Sequence, residues 1–125
     1  MLLDTHTLLW FLDDDTKLSS NAKQQIEQAD CTYISIISIW EIAIKLGIGK
    51  LKVEFDFKDL PQILLQLNIE ILPITFADTE IYIGLPLHHR DPFDRILIAQ
   101  AINYKLAIVG CDIAFDAYSV QRIWE

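Results

Sequence analysis

Short apolar runs, several of them ending at an acidic or hydroxyl-bearing residue, alternate along the chain with stretches of helical spacing. This alternation restricts the fold more than any other feature. Met1–Leu3 reads as a strand running straight into Asp4, and Thr5–Leu12, apolar almost all round, as a short helix. After the polar break Asp13–Asp15, Ser19–Ala29 fits an amphipathic helix with a Ser cap. Thr32–Ser35 reads as a second strand, and Ile36–Leu46 as a helix closed by Gly47 and Gly49. Phe57–Leu67 has helical spacing, Ile69–Ile71 is a third strand, and Thr75–Leu85 and Pro92–Tyr104 are further helices. Leu106–Val109 is a fourth strand, and Ser119–Trp124 is a final β-prone piece. Strands separated by helices predict an α/β fold with a mostly parallel sheet covered by helices on both faces. In such folds ligands collect beyond the carboxyl ends of the strands.

A chain of 125 residues with 52% apolar residues and 4 Gly and 4 Pro is expected to be one domain, residues 1–125, with a single respectable core. No apolar run approaches the ~18 residues that cross a bilayer, and the start Met1-Leu2-Leu3-Asp4 lacks the basic region of a secretory signal. The expectation is a cytoplasmic domain with no membrane contact. Cys31 and Cys111 are too few to staple a secreted domain and lack a metal-ligand spacing, so both are expected as buried thiols. Ten Lys and Arg against 18 Asp and Glu give a net charge of −8, which argues against a broad basic surface for nucleic acid. It leaves open a nuclease whose acids hold Mg²⁺ or Mn²⁺, since the ion then supplies the positive charge.

The placement of the acids therefore matters most. Asp4 follows the first strand, Glu41 lies in the helix after the second, Asp94 opens the long helix before the fourth, and Asp112 follows the fourth. The strand-end rule brings these acids to one end of the sheet. Each also fits a local role: Asp4 as a helix cap, Ser38 to Glu41 as a capping box (with Ser35 an equal candidate for the cap), Asp112 as a turn. Asp91, before Pro92, reads as a cap, with Asp94 favourable in the same first turn. Clustered carboxylates repel one another unless a cation neutralises them, and a hard divalent ion prefers oxygen. Within the otherwise apolar helix Ile36–Leu46, Ser38, Glu41 and Lys45 form one narrow stripe. It reads as a polar stripe aimed at a ligand, with a Glu41–Lys45 helix pair as the alternative.

Three segments carry a family likeness: Asp4-Thr5-His6-Thr7-Leu8-Leu9-Trp10, Ser35-Ile36-Ile37-Ser38-Ile39-Trp40-Glu41-Ile42-Ala43-Ile44-Lys45 and His89-Arg90-Asp91-Pro92-Phe93-Asp94-Arg95. With Leu97-Ile98-Ala99-Gln100-Ala101 and the late Asp112, they resemble PIN-domain proteins, especially the VapC-type toxins of type II toxin–antitoxin modules. The likeness covers essentially the whole chain in the right order. It implies a Rossmann-like three-layer α/β/α sandwich and a Mg²⁺- or Mn²⁺-dependent endoribonuclease leaving 5′-phosphate and 3′-hydroxyl ends. It also implies a cognate antitoxin. By matching position, the resemblance implies Asp4, Glu41 and Asp94 as the core catalytic and metal-binding acids and Asp112 as the fourth, with Asp4 and Asp94 expected as direct ligands and Glu41 and Asp112 acting directly or through metal-bound water. One departure is Gly110, where such toxins often carry Thr or Ser two residues before the fourth acid; Asp116 is a candidate substitute or helper.

Lys45, Arg90, Arg95, Lys50 and Lys52 are expected to form a local phosphate track for an RNA substrate. His6, His88 and His89 are candidates for RNA contact, set against ordinary surface or loop histidines. Leu8 to Leu12, and Ile37, Trp40 and Ile44, cannot all face a sheet, so these faces are expected to meet the antitoxin, a second copy in a homodimer, or both. A receiver domain would need a Lys after a late strand, where this chain has Val109-Gly110-Cys111-Asp112. A haloacid-dehalogenase-like phosphatase would need a second acid at His6. The remaining alternative is a catalytically inactive PIN-like module that binds RNA or protein.

Overall fold

The computed structural model describes residues 1–125. Five strands form one sheet: β1 (Leu2–Leu3), β2 (Thr32–Ser35), β3 (Ile69–Leu72), β4 (Ile108–Val109) and β5 (Arg122–Ile123). Their order is β3-β2-β1-β4-β5, and every neighbouring pair is parallel. Six helices complete the fold: α1 (Thr5–Leu12), α2 (Ser20–Gln28), α3 (Ile36–Gly47), α4 (Leu60–Gln66), α5 (Phe76–Gly84) and α6 (Pro92–Tyr104). The expected parallel α/β sandwich is thus the observed one.

The strand alternation splits the core into two layers, because successive side chains leave a strand on opposite faces. Leu3 and Val109 point to one face, where they meet Leu8 of α1, Ala22 and Ile26 of α2, Ile42 of α3 and Leu60 and Leu64 of α4. Leu2 and Ile108 point to the other, against Leu97, Ile98 and Ala101 of α6 together with Phe115 and Tyr118. Helix α5 packs on α6 from outside.

Side-chain caps set most helix starts. Asp4 accepts from Thr7 N, Ser19 from Ala22 N, Ser35 from Ile37 N and Asp91 from Phe93 N. Thr75 and Asp78 form a reciprocal capping box at α5. Ser35, rather than Ser38, is therefore the cap of α3. Helix α6 ends where Lys105 turns left-handed at φ 56°.

Several local expectations need correction. Phe57–Leu67 is a 3-10 turn (Phe57–Asp59) followed by α4, which carries Pro61 in its first turn, where a missing N–H costs no helical bond. β4 and β5 are two residues each, shorter than Leu106–Val109 and Ser119–Trp124, and a 3-10 helix over Ile113–Ala117 lies between them. Both cysteines are exposed, not buried. Along α1, Leu8 is fully buried and Leu9, Trp10, Phe11 and Leu12 pack, half-buried, on the chain's own core, partly against Ile123 and Trp124. That helix therefore offers less free apolar surface than its sequence suggests.

Candidate active site

Strand order reverses at β1, whose neighbours β2 and β4 receive chain from opposite directions. A crevice opens at such a point, beyond the carboxyl ends of the strands. Asp4 stands there as the first residue after β1, only 7% exposed. Its Oδ1 accepts the Thr7 N–H at 2.8 Å, while Thr7 Oγ1 donates to Val109 O at 2.9 Å and ties α1 to β4. Its other oxygen rests against Gly110. A Cβ at Gly110 would lie 2.6 Å from Asp4 Oδ2, so the glycine makes room for the carboxylate. The missing family hydroxyl and the close approach of Asp4 thus concern the same point in space.

Glu41 reaches the crevice from α3. Thr5 Oγ1 donates to Glu41 Oε1 at 2.7 Å, and Lys45 Nζ lies 3.2 Å from Oε2. The polar stripe is only partly directed at the crevice: Glu41 lines it, Lys45 pairs with Glu41, and Ser38 is buried elsewhere with no partner for its hydroxyl. Asp94, the third residue of α6, is half-buried, and its Oδ2 shares a 2.7 Å hydrogen bond with His89 Nε2. Asp112 caps the following 3-10 helix by accepting Ala114 N–H, and remains exposed.

These elements enclose a cavity of about 270 Å³ whose wall includes Asp4, Glu41, Asp94 and Asp112. All four acids singled out in the sequence therefore line one cavity. Asp91 joins them on the wall as well as capping α6. Burial pushes the Asp4 carboxyl above the ordinary carboxylate range, opposed by its bonds to Thr7 and by His6, with Asp112 adding repulsion. Burial also raises Asp94; His89 opposes the shift, and Asp91 and Asp4 add to it. Cys111, on the same wall, is raised by burial and by Asp4.

Some expected participants are absent. Asp116 is held by the Arg122 guanidinium at 2.9 and 3.1 Å and does not line the cavity, so it does not stand in for Asp112. Arg95 is 7% exposed and donates to Pro86 O, His89 O and Tyr118 Oη, which takes it out of any phosphate track. Lys45 is committed to Glu41, leaving exposed Arg90, Lys50 and Lys52. His88 is exposed and packs edge-on against Tyr118. His89, by contrast, lines the cavity beside the acids. Its sequence position gave no distinguishing signal, because no ligand spacing links it to Asp112 twenty-odd residues away.

The donor set suits a hard divalent cation: five carboxylates line one small cavity, with Asp4 raised by burial and by Asp112, and Asp94 by burial, Asp91 and Asp4. A bound cation relieves that repulsion.

The family model described as PIN domain matches residues 1–121. The chain belongs to the PIN domain family. Among curated relatives, Ribonuclease VapC22 of Mycobacterium tuberculosis (strain ATCC 25618 / H37Rv) is 28% identical over 113 residues, covering 90% of this chain and 86% of its own. The PIN fold seen here is also similar to VapBC2 from Rickettsia felis, solved bound to a DNA fragment from its promoter (TM-score 0.70, 18% identity, 99% of this chain and 98% of that one). FitAcB from Neisseria gonorrhoeae is similar too, with a TM-score of 0.69 and 21% identity over 98% of this chain and 95% of that one. No helix of this PIN domain is long and apolar enough to cross a membrane.

Proposed function

We propose that this PIN domain is a Mg²⁺- or Mn²⁺-dependent endoribonuclease and the toxin of a toxin–antitoxin pair. The observation that carries the reading is the meeting of Asp4, Glu41, Asp94 and Asp112, drawn from separate stretches of chain, in one cavity at the switch point of the sheet. A ribonuclease relative and structural likeness to toxin–antitoxin complexes support it.

Asp4 and Asp94 are the residues that would hold the ion, with Glu41 and Asp112 completing the acidic wall. A bound divalent cation supplies charge to a phosphate oxygen and lowers the pKa of a water for in-line attack on phosphorus. The chain's own contribution is orientation. The Thr7 N–H fixes one Asp4 oxygen, Thr5 and Lys45 fix both Glu41 oxygens, and His89 fixes one Asp94 oxygen. Arg90, Lys50 and Lys52 remain as surface cations for the RNA backbone. The antitoxin and a second copy of the chain are the proposed protein partners, and cytoplasm the proposed location.

The test is RNA cleavage by purified protein with Mg²⁺ or Mn²⁺, followed by end-mapping on total RNA. Cleavage should stop on chelation and fall at least about tenfold in Asp94→Asn, with the circular-dichroism spectrum unchanged. Metal binding without cleavage of any RNA would instead assign the chain to the inactive binding modules.

A further inference from the structure

Two histidines, His6 and His89, line the acidic cavity, and of the two it is His89 that groups with two of the acids within metal-ligand reach. A ring nitrogen of His89 and one carboxylate oxygen from each of Asp94 and Asp112 lie within 4.8 Å of one another, and His89 Nε2 is the nitrogen that sits 2.7 Å from Asp94 Oδ2. Ligands bonded to one ion at about 2.0–2.2 Å sit about 3–4.4 Å apart, so small side-chain adjustments close this set around a cation. The loop carrying His89 is fixed from beneath. Arg95 donates to His89 O at 3.3 Å and to Pro86 O at 3.0 Å. The same guanidinium stacks over the Tyr82 ring at 4.9 Å. The buried guanidinium thus pins the backbone from which the imidazole projects.

We infer that His89 Nε2 is a direct ligand of the cation in this site, forming with Asp94 and Asp112 a mixed nitrogen–oxygen face that favours Mn²⁺ over Mg²⁺. This rests on the metal-dependent reading above. Ligation replaces the hydrogen bond to Asp94: the liganded ring carries its N–H on Nδ1, and the Nε2 lone pair meets the ion. The preference follows from the donor. Mg²⁺ demands near-ideal oxygen coordination and gives up its waters reluctantly, whereas Mn²⁺, at the start of the first-row transition series, takes oxygen ligands and also accepts an imidazole nitrogen. A site of carboxylates alone discriminates less between the two ions.

The deciding measurement is pulsed electron paramagnetic resonance of the Mn²⁺-loaded protein. Electron spin-echo modulation from a directly bonded ¹⁴N is expected in the wild type and should vanish in His89→Gln, while Asp112→Asn keeps it. In parallel, calorimetric titrations should show His89→Gln weakening Mn²⁺ at least about tenfold and Mg²⁺ much less. Mn²⁺ bound in the wild type with no ¹⁴N modulation, or equal losses for both ions, overturns the inference and leaves His89 as a hydrogen-bond donor to Asp94. Absence of Mn²⁺ binding in the wild type, or binding that survives Asp94→Asn, overturns the metal site itself.

Discussion

At the residue scale, Asp4 combines two demands that pull against each other. Its side chain caps α1, a role that Asn fills equally well, yet it is kept in a buried place that disfavours its charge. Burial raises its folded-state pKa above that of the unfolded chain. Between those two values the folded protein binds more protons, so folding stability falls as pH rises through the interval. Above the folded value the cost is fully present, and below the ordinary carboxylate value it is absent. Asp4→Asn is therefore expected to raise the melting temperature of the metal-free protein at pH 7. The advantage should shrink towards zero as pH approaches about 4. Saturating Mn²⁺ should reverse the ranking, because the ion stabilises only the chain that binds it. Thermal melts in chelator and in Mn²⁺ across pH check all three; a variant less stable than wild type at pH 7 in chelator would contradict the burial argument. Individual acids were readable because strand ends announce them. His89, Arg95 and the two exposed cysteines were not, since their placement depends on which neighbour a loop meets, such as Arg95 reaching back to Pro86 and His89.

At the scale of elements, the first turn of α6 joins stability to the site. Asp91 caps the helix through Phe93 N, Pro92 presets the first helical φ, and Asp94 follows on the same turn. Asp91→Ala removes the cap and should cost about 1 kcal/mol in denaturant unfolding. It should also weaken metal binding, because Asp94 loses the turn that holds it. Asp91→Asn should recover the stability, as Asn caps comparably; if both variants unfolded alike, the cap would not be the cause. Caps of this kind are why the starts of α1, α2 and α6 were legible from Asp4, Ser19 and Asp91-Pro92. The 3-10 helix Ile113–Ala117 was not, because five residues give neither a helical nor a strand period, and its cap, Asp112, resembles any turn acid. Likewise the two-residue pairings of β4 and β5 are decided by partner strands, and β-prone stretches of four to six residues overstate them.

For the whole molecule, the distribution of apolar surface points to a partner on one side. α1 spends its apolar residues on the core, but Trp40 of α3 is 56% exposed and Ile83 of α5 83% exposed. Between them runs a groove of about 530 Å³, lined also by Ile37, Ile74, Tyr82 and Phe93, with the Trp40 and Phe93 rings in tilted contact at 5.5 Å. None of its lining residues carries a charge, on a chain whose net charge is −8. Two molecules of like net charge repel on average, so a second copy apposed across a neutral face meets apolar surface without bringing like charges together. Ile83→Glu would place two carboxylates into such a symmetric contact and leave the acidic cavity, on other residues, untouched. Sedimentation should then show a dimer for the wild type and a monomer for the variant, with Mn²⁺ affinity equal in the two. A wild type that sediments as a monomer at tens of micromolar would remove the second copy from that groove and leave it to the antitoxin. Because Trp40 and Phe93 adjoin Glu41 and Asp94 along α3 and α6, whatever fills the groove also braces the helices that carry two of the four acids.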